Sequence, residues 1–164
     1  MALAGPHARR EGRALVLVLD NGKSLRFTDG KCVADEEPCP SYSLAAFLPS
    51  HGVFVVKKEE YEAYDVLLVE MANGKQHIVD GPPHYAPDGT RFVTCRVDEM
   101  NGGGTTVWHV AAARYLQEWQ DERMSVCGRW RDDATFEVGV YDDVPTGKPR
   151  PALLMRKGQG WQLR

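Results

Sequence analysis

The chain has no long apolar run and no strong charge of either sign. Its longest apolar stretch, ALVLVL at 14–19, has the length of a strand, whereas a membrane-spanning helix needs about 20 apolar residues. A formal charge of −3 offers no basic face of the kind that nucleic acid requires. We therefore expect neither a membrane span nor a nucleic-acid partner for this chain of 164 residues, which is long enough to bury its own core.

Catalytic and metal-binding signatures are also missing. The sequence contains no G-x-S-x-G nucleophile motif, and none of its five histidines has the two-histidine spacing of a zinc helix. The glycines of DEMNGGGTT (98–106) predict a flexible hairpin loop, because a phosphate-binding loop would continue into Lys-Ser/Thr and a helix. We therefore predict no catalytic residue, no metal and no cofactor.

Four cysteines allow two disulfides. Cys32 and Cys39 lie in the polar, proline-bearing segment KCVADEEPCPS, where they form either a local disulfide or two free thiols. The disulfide would imply an oxidising compartment. Cys95 and Cys127 lie in apolar, strand-like runs, where free cysteine behaves as a small hydrophobic residue. We predict that these two are free, buried thiols.

The N-terminal segment, residues 1–12, is predicted to be a flexible arm. Its basic run HARREGR (7–13) is typical of a solvated chain end. The opening MALAGPHA contains an A-L-A that resembles the end of a secretory signal, but the charged and apolar regions of such a signal do not precede it. The A-L-A is either a chance match or the trace of a leader removed nearby.

What the sequence does contain is strands and tight turns. In RALVLVLDNGKSLRFTD (13–29) two apolar runs flank Asn21-Gly22, which favours the positive φ angles of a two-residue hairpin turn. The segment YDVLLVEMANGKQHIVDG (64–81) repeats this design around Asn73-Gly74. Both segments are therefore predicted to be hairpins.

A longer repeat contains these hairpins. Three stretches at 45–58, 83–97 and 127–141 each place a short strand, a polar turn and then a phenylalanine that opens a longer strand. The phenylalanines are Phe54, Phe92 and Phe136. Apolar residues on both faces of FVTCRV and FEVGVY indicate that neighbouring sheets stack.

The predicted fold is therefore all-β: an N-terminal hairpin followed by about three four-stranded antiparallel meanders in a single repeat domain, 13–164. Its approximate units are 13–29, 41–81, 82–120 and 124–164. The main competing interpretation is a helix over ARYLQEWQDERMS (113–125), which has no glycine or proline; the register of the repeat favours a strand through Tyr115 to Trp119.

These units resemble the blades of β-propeller proteins, which often carry a Pro-Asp-Gly turn like that of YAPDGTRFV. The whole string, with VDGPPHYAPDGTRFV and a terminal GWQLR, is also similar to small uncharacterised bacterial exported proteins with blade-like repeats, a likeness that implies no activity. Closed propellers have at least four blades, and this sequence supplies about three and a half. An open edge would then need protection, which Lys57, Lys58, Glu59 and Glu60 are expected to provide.

Three residues are candidates for binding. Tyr61 and Tyr64 lie in what the sequence predicts to be a charged loop, and loop aromatics can anchor protein interfaces. His84 precedes the Pro-Asp-Gly turn and has no histidine counterpart in the other two repeats. A hydrolase site would instead require His77, His84 and Asp88 to converge.

The functional prediction is a non-enzymatic binding or protein-interaction module of the bacterial cell envelope or exterior, monomeric or dimeric, with a protein partner. It is expected to be periplasmic or secreted, and a cytoplasmic location is the alternative. Two other functions stay open: a hydrolase with a loop-built site near His77, His84 and Asp88, or an envelope inhibitor that presents a loop to a hydrolase.

Overall fold

A computed structural model describes residues 5–31, 39–61, 63–98, 103–111, 114–142 and 147–164. Strands make up most of this part of the chain, and its only helical elements are two short 3₁₀ turns, Gly5–His7 and Pro49–His51. The prediction of an all-β fold is therefore confirmed. The contacts divide the chain into two compact units, residues 1–79 and 80–164, and each unit contains two antiparallel sheets.

The first unit consists of a three-stranded sheet and a four-stranded meander. The three-stranded sheet has the order β1-β2-β3, and the meander has the order β4-β5-β6-β7. The strands are β1 Ala8–Glu11, β2 Ala14–Val18, β3 Ser24–Thr28, β4 Ser41–Leu48, β5 Val53–Glu60, β6 Ala63–Glu70 and β7 Gln76–Val79. The predicted hairpin around Asn21-Gly22 is confirmed as β2 and β3, and Gly22 has the expected positive φ of 78°. The predicted two-residue turn is wrong, because Leu19 N donates to Lys23 O across a loop of three residues.

The predicted flexible arm is wrong for the residues that form β1. This strand pairs antiparallel with β2, with Ala8 opposite Leu17, and the Ala8 side chain is buried. The arginines that gave the segment its solvated appearance are held by ion pairs, Arg10 with Asp29 and Arg9 with a glutamate. The strand forms because its backbone pairs with β2 and Ala8 packs into the core, while both arginines stay exposed. Residues 1–4 lie outside the described part.

The predicted edge charges also lie elsewhere. Lys57, Lys58, Glu59 and Glu60 belong to β5, which pairs with β4 on one side and β6 on the other. They are therefore on an interior strand of the meander, where their side chains form local ion pairs such as Lys57 with Glu59. β5 is paired on both sides because the chain turns tightly after it, so that the segment predicted to be a charged loop forms strand β6 beside it.

The second unit contains two four-stranded meanders. The strand orders are β8-β9-β10-β11 and β12-β13-β14-β15. The strands are β8 His84–Tyr85, β9 Arg91–Arg96, β10 Gly104–Ala111, β11 Arg114–Asp121, β12 Ser125–Asp132, β13 Thr135–Val140, β14 Arg150–Lys157 and β15 Gly160–Leu163. The three predicted meanders are thus confirmed. The segment considered for a helix is strand β11, with Tyr115 opposite Val110.

The glycine-rich segment is only partly a loop. Gly104, Thr105 and Thr106 are the first residues of β10 and pair with β9, so the predicted loop extends too far in this direction. Positions 99–102 lie outside the described residues. The strand reaches Gly104 because Ser125 Oγ donates to its carbonyl oxygen and Thr105 Oγ1 donates to Ser125 Oγ, both at 2.7 Å.

A disulfide joins the two sheets of the second unit and corrects the prediction of free thiols. Cys95 on β9 and Cys127 on β12 are bonded, with their Cα atoms 5.4 Å apart and 32 residues between them in sequence. Both side chains pack against the core that the sheets share, which brings them within bonding geometry. None of the described cysteines is a free thiol. The predicted Cys32–Cys39 disulfide stays a prediction, because Cys32 lies outside the described residues.

The last sheet differs from the others in how it is buried. Strands β5, β6, β9 and β10 contain continuous buried runs, as expected for strands covered on both faces. In β13, buried Phe136, Val138 and Val140 alternate with less buried residues, and β14 alternates in the same way around Ala152 and Leu154. The prediction that FEVGVY is apolar on both faces is therefore wrong, because its second face carries Glu137 and Gly139.

Candidate functional site

The structure separates the two tyrosines that the sequence places together. Tyr61 lies in the tight turn between β5 and β6, where Glu60 pairs with Ala63, and 79% of its surface is exposed. Tyr64 is half-buried in β6, and the Lys57 ammonium lies 5.1 Å from the centre of its ring. The predicted charged loop is therefore a hairpin tip, and only Tyr61 presents a free aromatic surface.

His84 lies on β8 and packs between the two sheets of the second unit. Its ring meets that of Phe136 edge-on at 5.9 Å, and its carbonyl oxygen accepts a hydrogen bond from Trp130 Nε1 at 2.8 Å. Burial lowers the pKa of His84 and favours the neutral imidazole. These contacts make His84 a packing residue that connects β8 to β12 and β13.

The other two residues of the hydrolase hypothesis make local contacts, His77 in strand β7 and Asp88 in a turn. His77 Nε2 lies 2.7 Å from Glu70 Oε1 within the β6–β7 hairpin of the first unit. Asp88, in the second unit, accepts hydrogen bonds at 2.8 Å from both the backbone nitrogen and the hydroxyl of Thr90. Burial opposes the ionisation of Asp88, but these hydrogen bonds outweigh it and its pKa is lowered. The φ of +69° at Gly89 confirms the predicted turn.

Sequence reasoning missed a polar network centred on Glu118. The register of β10 with β11 pairs Val107 with Trp119 and Trp108 with Gln117, so Glu118 is the extra residue of a β-bulge. A bulge redirects the side chain it carries. Arg91 donates from Nε and Nη2 to the two oxygens of the Glu118 carboxylate at 2.8 and 3.0 Å. The alternation of apolar residues gives no signal for such an extra residue.

This network ties the two sheets of the second unit together. Trp161 on β15 donates its indole N–H to Glu118 Oε2 at 3.0 Å, while His109 Nδ1 lies 4.0 Å from Glu118 Oε1. Burial raises the pKa of Glu118, but the hydrogen bonds from Arg91 and Trp161 outweigh it and the net pKa is lowered. A carboxylate held ionised by three N–H donors is suited to stabilising the fold rather than to accepting a proton.

The open face of the last sheet carries a cleft, which we call the outer cleft. It has a volume of about 530 Å³ and lies over β12, β13 and β14, on the opposite side of the sheet from the core residues Phe136 and Leu154. Its floor contains two residues without side chains, Gly128 and Gly139. The apolar residues that line it are Val126, Pro149, Pro151 and Leu153. Val126 is 38% exposed and therefore presents apolar surface to solvent.

The charge around the outer cleft is predominantly positive. Arg131 and Arg164 line it together with Glu137. Arg131 Nε donates to Glu137 at 2.8 Å, and Arg129 Nε donates to the same carboxylate at 3.3 Å. These hydrogen bonds, with that of Arg131 the stronger, lower the pKa of Glu137. Arg164 donates to neutral Gln162 at 3.3 Å. The described lining therefore contains two arginines, Arg131 and Arg164, and one side-chain carboxylate, which Arg129 also contacts.

Positive charge is also concentrated in this part of the sequence. Residues 125–164 contain seven lysines and arginines against five aspartates and glutamates, a formal charge of +2, although the whole chain carries −3. The sequence therefore contained a signal for the outer cleft, in the combination of a local basic excess with the glycines and prolines of this segment. The total charge conceals that signal.

Over the described ranges, no group of three His, Cys, Asp or Glu side chains is arranged to hold a metal ion. Within the same ranges, no helix is long and apolar enough to cross a membrane.

Comparison of the chain with protein families, with curated proteins and with solved structures found no match. The likeness to propeller blades and to small exported bacterial proteins therefore stays a prediction.

Proposed function

We propose that this chain is a non-enzymatic protein-interaction module of the bacterial cell envelope or exterior. The outer cleft is the observation that carries the proposal. It combines apolar side chains and arginines on an exposed sheet face, and arginine beside apolar surface is typical of the centres of protein interfaces. Its position over the exposed face of a sheet suits an extended protein segment better than an enclosed small molecule.

The proposed location rests on the disulfide between Cys95 and Cys127. Disulfides that join elements of a stable core persist in oxidising compartments, such as the bacterial periplasm and the exterior, and are rare in the cytosol. This bond makes an exported location the better supported alternative.

The hydrolase hypothesis gains no support from the residues it requires. The His84 ring packs against Phe136, and both oxygens of Asp88 accept hydrogen bonds from Thr90. A general base needs an acceptor atom within reach of substrate, and these groups are instead used to hold turns and sheets. We therefore place the function in the outer cleft.

Site-specific photocrosslinking tests the proposal. Benzoylphenylalanine is placed at position 126, on the wall of the outer cleft, and the full chain is irradiated in bacterial envelope extract. Position 116 on β11 is the matched control, because Leu116 is also an exposed apolar strand residue, 48% exposed. We expect a discrete adduct from position 126 that is absent from position 116.

The control variant Arg131→Glu decides whether the adduct depends on the outer cleft. Arg131 is 54% exposed, so the substitution is compatible with folding. The same adduct from both positions, or an adduct unaffected by Arg131→Glu, would contradict the proposal.

A further inference from the structure

We infer that the partner segment bound in the outer cleft is acidic: an extended stretch of protein that places an apolar side chain against Val126 and Pro149 and a carboxylate between Arg131 and Arg164. This inference rests on the proposed function and specifies the chemistry of its partner.

The shape of the outer cleft favours an extended segment. At Gly139 a Cβ atom would lie 2.8 Å from Val126 Cγ2 and 2.9 Å from Pro149 Cβ, so only glycine lets these two side chains approach the strand this closely. At Gly128 a Cβ would lie 2.7 Å from the carbonyl oxygen of Glu137. Val126 and Pro149 therefore pack closely over Gly139 and form an apolar wall of the outer cleft, against which one apolar side chain of an extended peptide can lie.

The charges favour an acidic segment. Among the described residues, Glu137 supplies the only side-chain carboxylate that lines the outer cleft, and it is already shared by Arg129 and Arg131. A guanidinium carries five N–H donors, whereas Arg131 uses Nε for Glu137 and Arg164 uses Nε for the neutral Gln162. Both arginines therefore keep terminal N–H groups with which to bind a second carboxylate in a two-pronged pair.

A basic or neutral segment fits less well. A lysine placed in the outer cleft would meet Arg131 and Arg164, and like charges brought together at an interface are strongly unfavourable. A neutral segment would leave the excess positive charge uncompensated as water is removed from around it. Recognition in the outer cleft therefore depends on the sign of the charge that the partner segment carries.

Fluorescence anisotropy with synthetic peptides tests the inference. The probes are labelled peptides of eight residues, the length of β12 and β14, that alternate leucine with aspartate, with serine or with lysine. We expect the aspartate peptide to bind the full chain at least about tenfold more tightly than the serine and lysine peptides. We also expect its binding to weaken by about tenfold between about 0.05 and 0.5 M salt, as the Debye length shortens.

A double charge reversal shows where the peptide binds. Arg131→Glu with Arg164→Glu should weaken the aspartate peptide by at least about tenfold. The matched control, Arg114→Glu with Lys23→Glu, changes net charge by the same amount at exposed positions that do not line the outer cleft and should leave binding within about twofold. Equal loss in both variants would show that net charge alone drives binding and would overturn the inference.

The peptide and crosslinking experiments distinguish failure of the inference from failure of the proposed function. The partner segment joined to position 126 is identified by mass spectrometry. An acidic segment supports the inference, and a neutral or basic segment overturns it while the proposed function stands. If neither a crosslink nor a peptide depends on Arg131, both proposals fail. A crosslink to a second copy of this chain, confirmed by concentration-dependent sedimentation, would assign the outer cleft to self-association and overturn the partner inferred here.

Discussion

Loss of the Cys95–Cys127 disulfide should greatly weaken the second unit. The bond closes a loop of 32 residues between two sheets. In the chain-entropy account, closing a loop of that length removes about 3–4 kcal/mol of unfolded-state freedom at 25 °C. We therefore expect the free energy of unfolding to fall by about this amount when the bond is broken. Such a loss is a large part of the total stability of an ordinary domain.

Urea unfolding followed by tryptophan fluorescence measures this loss, since Trp119, Trp130 and Trp161 all belong to the second unit. For an m value of about 2 kcal/mol per M, the midpoint should fall by about 2 M urea. The wild-type chain is compared with its reduced form and with Cys95→Ala/Cys127→Ala. The reduced form keeps both sulfur atoms, so the difference between it and the double variant isolates the packing contribution of the sulfurs.

Cys32→Ser/Cys39→Ser is the matched control, because it leaves the bond between the sheets intact. In this variant the reductant should still lower the midpoint by about 2 M urea. In Cys95→Ala/Cys127→Ala the reductant should have little further effect on the fluorescence of the second unit. A urea midpoint that falls by less than about 0.5 M on reduction would show that the two sheets stay packed without the disulfide, and would refute the reasoning.

Thiol counting on the unreduced, denatured wild type should find Cys32 and Cys39 unreactive.

Two further predictions concern the turn and the Glu118 network. Gly89→Val should lower the free energy of unfolding by at least about 1 kcal/mol, because valine is strained at a φ of +69°. The control Gly160→Val should cost less, because the φ of Gly160 is not positive. Equal losses of stability in thermal unfolding of the two variants would contradict the predicted turn. Glu118→Gln should cost about 2 kcal/mol at pH 7, since Arg91 is only 11% exposed and would lose a charged partner, while Glu59→Gln at an exposed ion pair should cost little. Because folding lowers the pKa of Glu118, the stability that its ionised carboxylate contributes is complete above the ordinary pKa of 4.5 and is lost as the pH falls through the lowered pKa. A difference in unfolding free energy between Glu118→Gln and wild type that stays constant down to pH 3 would contradict this.

The repeat units could be predicted because their signals are local. Asn-Gly and Pro-Asp-Gly turns impose specific φ angles on their own residues, and Gly22, Gly74 and Gly89 all have positive φ as expected. The strands between them follow from β-branched and aromatic residues over short distances. The same local reasoning failed at β1 and at the β5–β6 turn. Polar composition there indicated solvated chain, but pairing with a neighbouring strand supplied the backbone hydrogen bonds that the segments needed.

The candidate sites were less predictable because they depend on residues distant in sequence. Glu118 acquires its partners through a bulge in β11 and through Trp161, which is 43 residues away. His84 was a binding candidate because the other two repeats have no histidine at its position, yet its ring packs against Phe136. The sequence does not show whether a histidine in a strand faces a core or a ligand, because the neighbouring sheet determines its surroundings.

The sequence by itself determined the all-β class, the hairpin turns and the division into meanders, because turn chemistry and alternation act between residues close along the chain. Tertiary structure alone decided that Cys95 meets Cys127, that Glu118 joins two sheets, and that one face of the last sheet carries an arginine-lined cleft. These features depend on how sheets pack. Packing brings together residues that are far apart along the chain, and short-range sequence patterns do not indicate which of them will meet.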